Sequence, residues 1–241
     1  MNTSLKHLVV LGLWLMGAAL YASPALAHHL WVIPESDGFA VARGTLPDTT
    51  EAYNPMAVTA IRVFGSDGSE GSILRKDRKD RAFFKAPSPA VAAVRCDWGP
   101  RVTTTRGKKL MSRPDAEKQG FKVIKAFVST QTSKTVFQDG EVLTRPLGLI
   151  FELVPETSPL GLIPGQSVNI KLLFEGTPLK NVDITGPDSV KTRTDDQGIA
   201  AVTLSKSDWQ VVSARHLLNL PDDADLDFHQ YMTFFIFKVK S

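Results

Sequence analysis

Cysteine is nearly missing from this sequence: among 241 residues only Cys96 is present, so no disulfide can form within the chain and the fold must be held by burial. Beyond residue 27 no apolar run approaches the roughly 18 to 20 residues of a membrane helix, which excludes a helical span there. Neither a Gly-x-Ser-x-Gly elbow nor a glycine-rich phosphate loop occurs, so serine-hydrolase and nucleotide-binding chemistry lose their usual signatures. Helical periodicity is almost absent, and charges nearly balance, with 28 Lys and Arg against 25 Asp and Glu. Histidine is scarce as well. Its five copies are His7, His28, His29, His216 and His229, which leaves the whole middle of the chain without one.

What is present begins with a leader pattern. A short polar start with Lys6 and His7 precedes an apolar stretch from Leu8 to Ala22, then small residues ending Ala25-Leu26-Ala27. This predicts a cleaved secretory signal peptide over residues 1–27 and export to the periplasm. Cleavage takes away Lys6 and no acid, so the net charge of +3 becomes +2, and this balance implies neither a polyanionic partner nor nucleic acid. It also makes His28 the first residue. A free α-amine, the His28 ring and the His29 ring then fall within two residues, a ready set of nitrogen donors.

Along the mature chain the grammar is that of short strands. Trp31, Ile33, Phe39 and Val41, then Val58, Ile61 and Val63, are separated by turn residues such as Asp37-Gly38 and Asn54-Pro55. Residues 98–120 are polar and basic, with Arg101, Arg106, Lys108, Lys109 and Arg113 among threonines, and read as a long loop with one short helix near Asp115. From Leu147 onward six strands recur at regular spacing: 149–154, 167–174, 182–185, 199–204, 209–214 and 231–239. The expectation is an all-β protein of two sandwich-like halves, 28–146 and 147–241, with a soft boundary near Pro146.

The order of motifs resembles the DUF4198 family. They are an N-terminal His followed by Leu30-Trp31-Val32, Pro164-Gly165 before a strand, and Gly176-Thr177-Pro178-Leu179 then Val182. Thr194-Asp195-x-x-Gly198, Arg215-His216 and Asp225-x-Asp227-Phe228 follow. That resemblance implies an exported protein related to a component of a nickel or cobalt uptake complex, with an immunoglobulin-like or transthyretin-like second half. The related component is membrane-bound and this chain has no span after its leader, so what carries over is metal binding at His28 and His29, with a membrane transporter as partner.

Two coordination modes are open to the histidine pair. His28 can chelate through its amine and ring, with a further histidine completing a brace. Alternatively the amine, the amide nitrogen of residue 29 and the His29 ring supply three planar nitrogens. Both suit Cu(II) or Ni(II). His216 and His229 flank an acidic loop and, if their strands pair, lie at one edge of a sandwich, so metal: His28, His29, His216 and His229 is the predicted set. Asp223, Asp225 and Asp227 alternate but lack the glycine and distal glutamate of a calcium loop, which favours a solvated turn. Cys96 reads as a buried strand residue. The resulting expectation is a periplasmic nickel, cobalt or copper binder that is not an enzyme. The alternatives are a copper-dependent oxidative enzyme with an N-terminal brace, for which aromatics are few, and a carbohydrate- or protein-binding module.

Overall fold

The computed structural model describes residues 28–239; the expected signal peptide, 1–27, lies outside the described residues. Three sheets stack in layers. Sheet A joins β1 (His29–Glu35), β2 (Gly38–Thr45), β3 (Thr49–Thr50), β6 (Leu74–Arg75) and β7 (Phe83–Lys85). Sheet C joins β11 (Phe151–Pro155), β12 (Ser167–Phe174), β13 (Thr177–Pro178) and β16 (Ile199–Thr203).

Between them runs sheet B. From the first half of the chain it takes β4 (Val58–Phe64), β5 (Glu70–Gly71), β8 (Val91–Thr104), β9 (Gly107–Lys109) and β10 (Val123–Val136). From the second half come β14 (Asp183–Thr185), β15 (Lys191–Arg193), β17 (Trp209–Asn219) and β18 (Phe228–Lys238). The protein is thus all-β and sandwich-like, as its turn chemistry and alternation predict. The halves do not stand apart, because β10 and β18 pair in parallel, Phe127 opposite Phe228 through Thr135 opposite Ile236, and fuse both halves into one central layer.

Side-chain alternation explains why sheet B needs covers on both faces. Tyr231, Phe235 and Phe237 of β18 join a core with Phe151, Leu153, Ile170 and Leu172 of sheet C. Their neighbours Met232, Phe234 and Ile236 join a second core with Leu30, Val32 and Val41 of sheet A. Phe234 to Phe237 are at most 1 % exposed, and each such burial contributes about 1.5–3 kcal/mol relative to exposure. One ion pair is sealed between sheets B and C: Lys134 Nζ stands 2.8 Å from Glu152 Oε1, both side chains 1 % exposed.

The stretch 98–120 is not the polar loop its composition suggests. β8 continues to Thr104, turns at Thr105-Arg106 into β9, and a short helix α1 (Arg113–Lys118) follows, capped by the Ser112 side chain. Strand formation wins because Val102 and Thr104 alternate inward and are buried, while Arg101 before them and Thr103 between them are only half-buried and Arg106 and Lys108 are exposed. Val102, Ala116 and Ala126 form a small third core under this hairpin. The predicted turn at Asp195–Gly198 is also present. Asp195 accepts the N–H groups of Gln197 and Ile199, and Gly198 sits at φ +74°, where a Cβ would lie 3.0 Å from Leu179 N.

Candidate functional site

β1 lies on the sheet A side of sheet B, tied there by Val32 N–H donating to Thr135 Oγ1 at 3.0 Å. This places the histidine pair. His29 opens β1 opposite Gly44, and its ring packs edge-on against Phe234 of β18 with centroids 5.8 Å apart. Its Nδ1 accepts the Leu46 N–H at 3.2 Å, so in the neutral ring Nε2 carries the proton. Burial and then the neighbouring His28 charge hold the His29 pKa below its usual value. Coordination through the His29 ring therefore has to break an existing hydrogen bond.

His28 differs. Its Nδ1 is shielded from solvent and, among the described residues, has no aligned hydrogen-bond partner, yet lies 3.0 Å from Glu51 Oε1. The other oxygen of Glu51 is taken by Arg43 Nη1 at 2.6 Å. Two donors about 2.0–2.2 Å from one ion and at right angles to each other stand about 2.9 Å apart. The Nδ1 to Oε1 spacing matches that separation as well as that of an ordinary ion pair, so the two side chains would fit a divalent ion held between His28 Nδ1 and a Glu51 oxygen. Sequence reading missed Glu51, since nothing local marks a carboxylate more than twenty residues away as the neighbour of His28.

The C-terminal pair sits elsewhere. β17 and β18 are antiparallel neighbours, as expected, with His216 opposite Tyr231 and Leu218 opposite His229. Both histidine rings emerge on the sheet C face. The His216 ring packs against Phe174 and Phe151, with centroids 5.0 and 6.2 Å away, although its residue borders the same cleft as His28. The His229 ring stacks on Tyr231 at 4.0 Å. Sheet B thus separates the rings of the N-terminal pair from those of the C-terminal pair, and the four are not brought together. No group of three or more His, Cys, Asp or Glu is clustered for a metal among the described residues.

His229 has its own hydrogen-bonded chain. Thr130 Oγ1 donates its proton to Asp97 Oδ1 at 2.6 Å, so it accepts from His229 Nε2 at 2.9 Å. That leaves His229 Nδ1 to accept from the Tyr231 hydroxyl at 3.1 Å. Both ring nitrogens are engaged. Burial lowers the pKa of His229 and of His216.

The remaining sequence candidates are accounted for locally. Asp227 Oδ2 accepts from Ala126 N and Arg113 Nη2, and Asp223 Oδ1 accepts from the N–H groups of Asp225 and Leu226. These carboxylates brace a turn. Cys96 is buried in β8, where burial raises its thiol pKa. Among the described residues no helix is long and apolar enough to cross a membrane.

A family model, the domain of unknown function DUF4198, matches residues 25–217. No curated protein and no solved structure matches the chain. The chain belongs to the DUF4198 family.

Proposed function

We propose that this DUF4198 protein is an exported binder of a divalent transition metal, nickel, cobalt or copper, held at a processed N-terminus that begins with His28. The observation that carries the reading is the solvent-shielded His28 Nδ1 beside Glu51 Oε1. A metal ion would take both the Nδ1 lone pair and the neighbouring Glu51 oxygen. Of the two modes open to the histidine pair, the geometry favours the His28 chelate, because the His29 ring is already committed to Leu46 N–H. Glu51 replaces the extra histidine of a brace as the oxygen donor.

In this reading the protein captures metal in the periplasm and passes it to a membrane transporter. The strand β1 begins one residue later, at His29 opposite Gly44, which supports a residue 28 held close to an anchored strand. Protons compete with the metal for both His28 donors, so affinity declines as pH falls.

Isothermal titration of the mature protein with Ni(II) and Cu(II) tests this. His28→Ala and Glu51→Ala lower affinity by about tenfold or more, consistent with loss of a donor, whereas His216→Ala and His229→Ala leave it unchanged. Unaltered binding in His28→Ala, or an equal loss in His229→Ala, contradicts the reading.

A further inference from the structure

Next to His28 a cleft of about 930 Å³ opens between the β8–β9 hairpin, the β1–β2 edge and the ends of β14 and β17. Its walls are strongly cationic. Arg101, Lys108, Lys109, Lys191 and Arg215 line it, and among the described residues none of the five has a carboxylate at ion-pairing distance. Its one lining acid, Asp183, is already paired with Arg193. Like charges gathered around one concavity repel each other. Arg101 feels this directly: burial, and then the Arg43 charge, lower its pKa.

A second observation points to a ligand. Five buried side-chain polar atoms lack a hydrogen-bond partner among the described residues, and four belong to residues lining this cleft: Trp98 Nε1, Arg101 Nε, Gln131 Oε1 and His28 Nδ1. Gln131 is 7 % exposed, and with its Nε2 directed at Met232 Sδ, 3.6 Å away, Oε1 is the unpaired atom. Orphaned groups in native proteins are rare, so the three apart from His28 Nδ1, which has Glu51 beside it, indicate an occupant of the one cavity: Trp98 Nε1, Arg101 Nε and Gln131 Oε1. The occupant's chemistry follows from their polarity. Arg101 and Trp98 offer donors and want an anionic acceptor, while Gln131 offers an acceptor and wants a hydroxyl or amine.

We propose that this cleft binds a small polycarboxylate that also carries a hydroxyl or amino group, with carboxylates taken by Arg101, Lys108 and Arg215 and the donor group by Gln131; the Lys109 ammonium instead lies over the Phe121 ring. The nearly neutral net charge of the chain hides the site, because the basic residues are gathered locally rather than in excess overall. The site does not depend on the metal reading, although it borders the same His28.

Citrate is the probe, titrated calorimetrically into full-length mature protein stripped of metal and exchanged into carboxylate-free buffer. Binding is expected, weakening as salt is added. Tricarballylate, which lacks the citrate hydroxyl, binds several-fold more weakly, and Gln131→Met removes that preference while retaining both ligands. Lys108→Ala with Arg215→Ala lowers citrate affinity by about tenfold or more. This double variant alters only exposed side chains, and an unchanged melting temperature confirms that it folds. The proposal is overturned if neither tricarboxylate binds at up to about 10 mM, where an interaction of roughly 3 kcal/mol would register. Equal citrate affinity in the double variant overturns it too, as does equal affinity for inorganic phosphate. Because no metal is present in this titration, its failure leaves nickel binding at His28 and Glu51 untouched, and failure of nickel binding leaves the citrate result standing.

Discussion

Replacing Glu152 with Gln removes one half of the ion pair sealed between sheets B and C. Lys134 Nζ then loses its counter-charge and is left with neutral acceptors, the glutamine oxygen and the Arg145 carbonyl at 3.4 Å, in a site where the side chain is 1 % exposed. Breaking a buried pair from one side leaves a charge that water cannot reach, and typically costs about 3–5 kcal/mol. Glu152 has a second duty, since its two oxygens accept the N–H groups of Leu147 and Leu149 and so turn the chain into β11. A glutamine retains one acceptor and orphans the other N–H, placing the loss at the upper end of that range. The apolar double variant Lys134→Met with Glu152→Leu removes both charges but strands both N–H groups, so it is also destabilised, by roughly 2–4 kcal/mol. Urea unfolding of the wild type and both variants measures these differences. A loss under about 1 kcal/mol for Glu152→Gln would refute the argument that this pair couples the layers.

Stability depends on acid through three histidines. His29, His216 and His229 all have folded pKa values lowered by burial from an ordinary value of 6.5, so the unfolded chain takes up protons first. Stability present above pH 6.5 is therefore lost as pH falls through the lowered folded values, and melting temperature measured down from pH 7 declines in that window; a flat profile contradicts it. Cys96, fully buried with a thiol pKa raised by burial, stays unreactive toward a thiol reagent in the native protein and reacts only after denaturant is added. Labelling at the native rate of a free thiol disproves its burial.

Much of the second half was legible in the sequence because its strands are bounded by turn residues whose chemistry is local. Pro164-Gly165 and Asp195 to Gly198 mark their turns without reference to any other part of the chain. The shared central sheet was not legible, since β10 and β18 pair across roughly a hundred intervening residues and no local pattern specifies the partner. The hairpin at 98–109 was obscured by its lysines and arginines, which suggest solvent while Val102 and Thr104 carry the alternation. Histidine placement failed for a related reason. Residues 231–237 are buried on both faces, so the run shows no polar alternation to tell which face His229 shares. Gln131 lies in the polar run Ser129 to Thr135, which is buried between layers, and composition alone reads such a run as exposed. The N-terminal histidines were visible because the leader-like pattern before them and their adjacency are both properties of sequence.

The central claim is that the amine of His28 is a metal donor, and adding a single residue before His28 tests it most directly. Two proteins are compared by Ni(II) titration, each with its N-terminus verified by intact mass: one starting at His28 and one starting with an additional Gly. The extension leaves every side chain in place and moves only the amine out of its chelate ring. The account predicts one ion bound per chain starting at His28 and affinity reduced by about tenfold or more in the extended chain, since a donor is lost. Equal affinity in the two proteins, or a natural exported protein whose mass places its first residue anywhere but His28, would contradict it.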